Sequence, residues 1–156
     1  MATRMQKYPE TESFHYHNAN PRNRLDCDCV FRAISTALNQ SWEQTVMEMA
    51  QLSCKTGYAI TGDKCIGKYM EQKGWTKMPQ PRKIDNKKFT GEEFCEVLTA
   101  RNRNNAIVNE SWKPIVANLG THHVACIMAD HKTKSYRVWD TWDSTDGCIG
   151  NYWIKL

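Results

Sequence analysis

Between residues 26 and 38 the chain reads Asp26-Cys27-Asp28-Cys29-Val30-Phe31-Arg32-Ala33-Ile34-Ser35-Thr36-Ala37-Leu38. The apolar residues of this stretch recur at helical spacing, which predicts an amphipathic helix that begins near Cys29 and stops at Asn39. Free amide groups and the positive end of the helix dipole lie at the first turn of a helix, and both favour the thiolate form of a cysteine. Cys29 is therefore the leading candidate for a nucleophile.

The other cysteines are weaker candidates. Cys27 lies outside the predicted helix and lacks its dipole, so it ranks second. A Cys-x-Cys pair can also bind a metal, but a zinc site would want a second pair at similar spacing, and the sequence has none. The seven cysteines are odd in number and scattered, which favours reduced thiols over a disulfide framework. We expect neither a metal nor a cofactor.

Two charged neighbours of Cys29 affect this interpretation. Asp28 raises a conflict, because a carboxylate beside the thiol opposes thiolate formation unless it points away. Arg32, on the predicted helix, is expected to make a structural ion pair rather than to touch a substrate.

Three further helices are predicted after residue 39, and each has a capping signal. They cover residues 41–54, residues 61–73, and residue 90 to the polar run 101–105. Ser41 with Gln44 and Thr90 with Glu93 form capping boxes. Gly74 follows the middle helix and can take the left-handed conformation beyond the last turn.

The second half of the chain has the pattern of strands. They are predicted at residues 106–108, 123–128, 136–139 and 151–155. Helices followed by strands indicate an α+β domain in which an N-terminal helical half packs on a C-terminal antiparallel sheet. Residues 1–26 lack either hydrophobic period and are predicted to form an irregular N-terminal arm, so residues 27–156 are expected to form a single domain.

A base for Cys29 is predicted at the start of a hydrophobic strand, in Thr121-His122-His123-Val124-Ala125-Cys126. Successive strand residues point to opposite faces, so only one histidine can face the site, and His123 adjoins the apolar run. The next strand carries Asp140, which can accept the second imidazole proton and hold the ring in place. These residues point to a nucleophile, a base and an orienting acid.

The order of these three segments resembles the papain-like cysteine peptidases. In that family a cysteine starts a helix, a histidine starts a strand, and the next strand carries an Asn-Ser-Trp-Gly segment. Here the corresponding segment reads Asp140-Thr141-Trp142-Asp143, and the chain ends with Gly150-Asn151-Tyr152-Trp153-Ile154-Lys155. The segments around Cys29 and Asp140 are also similar to those of small bacterial and phage papain-like proteins of undefined role.

The resemblance implies two further site residues. Trp142 should shield the hydrogen bond between Asp140 and His123 from water. Papain-like enzymes also use a glutamine, six residues before the cysteine, to hold the developing oxyanion together with the amide of the cysteine. This chain has Asn23 at that place, and asparagine can donate the same hydrogen bond from a shorter side chain.

Composition argues against several other classes. Hydrophobic residues make up 40% and charged residues 24%, as in globular proteins. The net charge of +4 is not organised into a basic, aromatic-interleaved stripe, so no nucleic-acid partner is expected. Apolar runs long enough for a membrane span are absent from the sequence, as is a secretory signal at the N-terminus, so we expect a cytoplasmic protein without a membrane partner.

These features lead to three functional hypotheses. The first is a thiol-dependent hydrolase, a peptidase or isopeptidase, that acts on a protein or peptide substrate through an acyl-enzyme intermediate. The second is an acyltransferase of the transglutaminase kind, which uses the same triad and passes the acyl group to an amine. The third is a papain-fold binding protein of phage origin that engages its target without turnover, because fold alone does not establish activity.

Overall fold

The computed structural model describes residues 1–104 and 112–156. In this part of the chain, five helices and six strands form an α+β fold, as the sequence predicts. The helices are α1 (Arg4–Lys7), α2 (Cys29–Leu38), α3 (Trp42–Thr56), α4 (Asp63–Gln72) and α5 (Gly91–Asn104). The strands are β1 (Phe14–Tyr16), β2 (Thr76–Met78), β3 (Ile115–Leu119), β4 (Val124–Asp130), β5 (Ser135–Asp140) and β6 (Ile149–Ile154). The strand predicted at 106–108 lies outside the described residues.

Four helices form where the sequence predicts them. Asn39 ends α2 in the left-handed conformation, and the Ser41 hydroxyl accepts a hydrogen bond from the Gln44 amide at 3.0 Å at the start of α3. At α5, Thr90 and Glu93 form the reciprocal capping box, with hydrogen bonds of 2.9 and 3.2 Å. Because these contacts are local, the helix boundaries can be predicted from the sequence.

The strands form one six-stranded sheet in the order β1-β5-β4-β3-β6-β2. The prediction of an antiparallel sheet is wrong at one edge, because β1 pairs with β5 in parallel and makes the sheet mixed. The amide of Val138 donates to the carbonyl of Ser13, and the amide of His17 donates to the carbonyl of Asp140, both at 2.8 Å. Strand β1 is three residues long, too short to show a period of two. The sequence pattern therefore does not distinguish it from the irregular arm expected at 1–26.

Helices cover both faces of the sheet rather than one. On one face α2, α3 and α4 pack against inward residues such as Val116, Cys126 and Trp153. On the other face α5 packs against Ile127 and Val138. Helix α2 packs on β4, and hydrogen bonds that join Cys29 to His123 and Val124 place the N-terminal end of α2 at the first residues of β4.

Among the described helices, none combines the length and apolar character that a membrane crossing requires.

Candidate active site

A cleft of about 520 Å³ opens where α2 meets the ends of β4 and β5. Cys29 lies in it as the first residue of α2, and His123 lies in it immediately before β4. Asp140, the last residue of β5, is buried behind the histidine. Three elements that are distant in sequence thus bring together the three residues that the sequence singles out.

The histidine and the acid form a direct hydrogen bond. Nε2 of His123 lies 2.5 Å from Oδ2 of Asp140. The same carboxylate also accepts hydrogen bonds from the Ser144 hydroxyl at 3.0 Å and from the Thr141 amide at 2.7 Å. Because Asp140 is fixed by these donors, it holds the imidazole ring in one orientation.

Cys29 and His123 are hydrogen-bonding partners, and the backbone amide of Val124 also donates to the Cys29 sulfur. Because Nε2 of the ring is engaged by Asp140, Nδ1 is the nitrogen left to face the thiol. Burial by itself would raise the pKa of the Cys29 thiol. The hydrogen bonds from His123 and Val124, with the positive charges of His123 and Arg32, outweigh burial and lower that pKa below its ordinary value.

The pKa of His123 moves in the opposite direction. Burial favours the neutral ring, but the hydrogen bonds and negative charges of Asp140 and Cys29 outweigh it and raise the pKa of His123 to about 9. The two groups therefore stabilise each other's charged forms. This arrangement favours a thiolate and imidazolium pair over the two neutral groups.

Asp28 is buried and does not line the cleft that holds the Cys29 thiol, which removes the conflict anticipated from the sequence. Its buried carboxylate accepts hydrogen bonds from the Arg32 guanidinium, from Nδ2 of Asn20 at 3.1 Å and from Nε1 of Trp42 at 3.1 Å. These three donors satisfy the charge of Asp28 inside the protein.

Arg32 makes the structural ion pairs expected of it, and one of them reaches the site. It is buried, and its guanidinium lies between Asp28 and Asp140, with Nη2 3.7 Å from Oδ1 of Asp140. The pairing of Arg32 with Asp28 can be predicted from their i, i+4 spacing in the sequence. The contact of Arg32 with Asp140 cannot be predicted in this way, because it joins residues from α2 and β5.

Trp142 covers the histidine from the side of the cleft. Its ring centroid lies 5.1 Å from that of His123, with the rings tilted by 48°. Trp142 is half-buried, so the indole separates part of the imidazole from solvent. This position fits the predicted shielding of the hydrogen bond between Asp140 and His123.

Asn23, the predicted oxyanion donor, is not among the residues that line the cleft. It is exposed and has a left-handed backbone (φ 53°), and its amide donates to the carbonyl of Asn20 at 3.0 Å. The preceding loop carries it outward, a conformation that spacing along the sequence cannot reveal. Another amide side chain, that of Asn118 on β3, does line the cleft. Sequence reasoning misses Asn118, because β3 is not among the predicted strands.

Two further cleft residues have left-handed backbones although they are not glycine. Cys27 (φ 51°) precedes Cys29 by two residues, and His122 (φ 55°) precedes His123 by one. Both are exposed. His122 therefore lies at the surface of the cleft, and His123 is the histidine bound to Asp140.

Within residues 1–104 and 112–156, no three His, Cys, Asp or Glu side chains cluster as a metal site would require. Comparison with protein-family models, curated proteins and solved structures gives no significant match to this chain. Its interpretation therefore depends on the geometry of the cleft.

Proposed function

We propose that the chain is a papain-like cysteine hydrolase that cleaves an amide bond of a protein or peptide substrate. One observation carries the proposal: a continuous set of hydrogen bonds links Cys29, at a helix start in an open cleft, through His123 to a buried Asp140. A nucleophile, a base in contact with it and a third group that orients the base are the parts that covalent catalysis requires.

The chemistry follows from the charges of the pair. The Cys29 thiolate attacks the substrate carbonyl carbon, and the carbonyl electrons move onto oxygen. When the tetrahedral intermediate collapses, the carbon–nitrogen bond breaks, and His123 donates its proton to the leaving amine. Water then attacks the thioester, gives its proton to His123 and releases the acid, which regenerates Cys29 as the thiolate. Asp140 keeps the ring in place throughout.

The oxyanion needs donors close to the nucleophile. The amide of Cys29 is in the first turn of α2, where helix geometry leaves N–H groups without an intrahelical partner. Asn118 lines the same cleft and carries an amide that can donate a second hydrogen bond. It is a better placed candidate for this role than the exposed Asn23.

The proposal is tested first by thiol reactivity. We expect iodoacetamide at neutral pH to label Cys29 faster than any other cysteine, because its thiol has a lowered pKa. Cys54 and Cys148 are internal controls, because both are exposed but lie outside the cleft. His123→Ala should reduce the rate at Cys29 and leave the controls unchanged. Preferential labelling of Cys27 or equal labelling of Cys54 would contradict the assignment.

Turnover is tested separately. The protein is incubated with a peptide library, and new termini are identified by mass spectrometry. Cleavage should disappear in Cys29→Ala, while its circular-dichroism spectrum stays that of the wild type. Fast labelling of Cys29 without cleavage or acyl transfer would instead favour a papain-fold binding protein.

A further inference from the structure

Cys27 shares the cleft with the nucleophile. Of the seven cysteines, Cys27 and Cys29 line this cleft. Three of the others, Cys65, Cys95 and Cys126, are buried in the core, and Cys54 and Cys148 are exposed elsewhere. Cys27 is exposed, so it can meet a reagent or a modified Cys29 without local unfolding. The pair is therefore separated from the remaining thiols by its position.

The backbone brings the two cysteines within reach of each other. A disulfide needs Cα atoms about 4.4 to 6.8 Å apart. Even a fully extended chain separates residues i and i+2 by no more than about 7 Å. The intervening Asp28 is not extended, since its φ of −104° and ψ of 22° are those of a turn, so the separation is shorter than this limit.

The side chain between them is turned inward. Asp28 is buried against Arg32, Asn20 and Trp42 and does not line the cleft. Cys27 and Cys29 both line the cleft, while Asp28 between them is held by its hydrogen bonds. The left-handed backbone of Cys27 is unfavourable for a residue with a Cβ, so the surrounding structure must hold it there.

We propose that Cys27 is a resolving thiol that forms a reversible disulfide with oxidised Cys29. The Cys29 thiolate attacks hydrogen peroxide, the oxidant, and becomes a sulfenic acid while hydroxide leaves. The sulfur of Cys27 then attacks the sulfenyl sulfur, its proton goes to the departing hydroxyl, and water is released as the disulfide forms. A dithiol reductant restores both thiols. The proposal rests on the activated Cys29 thiolate of the proposed function, but not on hydrolysis.

This pairing would make the site a redox switch. In the disulfide, Cys29 has no free thiolate, so the nucleophile is blocked. The disulfide also keeps Cys29 from further oxidation to sulfinic and sulfonic acids, which a dithiol does not reduce. Inactivation by peroxide is then reversible, and it depends on a residue that has no part in the triad.

The sequence offers a direct assay. Trypsin cuts after Arg24 and Arg32, so both cysteines fall in one peptide of residues 25–32. After peroxide treatment and blocking of free thiols with N-ethylmaleimide, this peptide should have lost two hydrogens and carry no maleimide. Dithiothreitol should restore the thiols and most of the alkylation rate at Cys29. In Cys27→Ser, the peptide should gain oxygen atoms instead, and dithiothreitol should not restore that rate.

Cys54→Ser is the matched control, because it removes an exposed thiol outside the cleft and should behave as the wild type. The inference is overturned if the wild-type peptide gains oxygen or remains reduced, or if Cys27→Ser recovers as fully as the wild type. The rate of Cys29 alkylation before peroxide separates the two proposals. A slow rate there refutes the proposed function, whereas a fast rate without disulfide formation refutes this inference alone.

Discussion

Replacing Asp140 by Asn removes one negative charge from behind His123 while keeping a side-chain oxygen that can accept its Nε2 proton. In the wild type this carboxylate lies 2.5 Å from the ring, in a buried site. The neighbouring Arg32 guanidinium would remain, 3.7 Å from the altered side chain in the wild-type geometry. The substitution therefore isolates the electrostatic part of the Asp140 role from its orienting part.

The expected size follows from the pKa of the histidine. Raising the pKa of His123 from 6.5 to about 9 corresponds to roughly 3 kcal/mol in favour of the imidazolium. Without the charge of Asp140, burial still favours the neutral ring, and the hydrogen bond and negative charge of Cys29 are left to oppose it. The pKa of His123 should then fall well below about 9.

The direction of each pH effect can be worked out. The protonated ring stabilises the Cys29 thiolate, so in Asp140→Asn the thiolate forms at higher pH and the acid limb of Cys29 alkylation moves upward. Turnover needs a protonated His123 for the leaving amine, so its alkaline limb moves to lower pH. The pH range of activity should thus narrow from both sides.

NMR titration of the His123 ring protons measures the pKa directly, and iodoacetamide rates at Cys29 against pH give the acid limb. Asp143→Asn is the matched control, because that neighbouring carboxylate bonds to the Thr145 amide and hydroxyl rather than to the triad. A His123 that titrates at its ordinary pKa in the wild type would refute the reasoning. So would an unchanged titration in Asp140→Asn, or an equal shift in the control.

Three further predictions test other parts of the structure. Arg32→Met leaves the buried Asp28 carboxylate without its cation and Asp140 with His123 alone, so the free energy of unfolding in urea should fall by about 3 kcal/mol; an unchanged value would count against the ion pairs. His123→Ala should abolish turnover, whereas His122→Ala, at the exposed edge of the cleft, should retain most of it. Gly91→Ala should lower the free energy of unfolding by about 1–3 kcal/mol, because the added Cβ would lie 3.1 Å from the Cα of Thr145. The control Gly67→Ala, in open space on a helix, should be neutral or stabilising in the same thermal melts.

The sequence predicts elements that carry their own local signals. Helix α2 is readable because its apolar residues keep a helical period and Asn39 stops it, and strand β4 because it is a continuous apolar run. Strand β3, with Asn118 in the cleft, is missed although it lies between β4 and β6 in the sheet. It is five residues long and nearly all buried, so it shows no alternation.

The residues of the site likewise differ in whether the sequence can predict them. Cys29, His123 and Asp140 each lie at the end of an element that the sequence predicts. Their proximity can therefore be predicted from the order of the elements. The ion pair of Arg32 with Asp140 joins distant segments and has no local pattern. The outward position of Asn23 depends on loop dihedral angles, including its own positive φ, which the residue types leave open.

Strand β1 makes the candidate site depend on the continuity of the chain between residues 16 and 29. It supports the strand that carries Asp140, through the hydrogen bond from His17 to the Asp140 carbonyl, yet it is joined to α2 by the exposed residues 21–26. A protease cut in that loop would leave β1 held to the rest of the protein by noncovalent contacts alone, among them its pairing with β5. Cys29, His123 and Asp140 would remain together on the larger fragment. The position of Asp140 relative to His123 would then depend on how much of the released peptide stays bound. We expect such a nicked protein to behave as a two-component system, in which the alkylation rate of Cys29 falls on dilution and recovers when the N-terminal peptide is added.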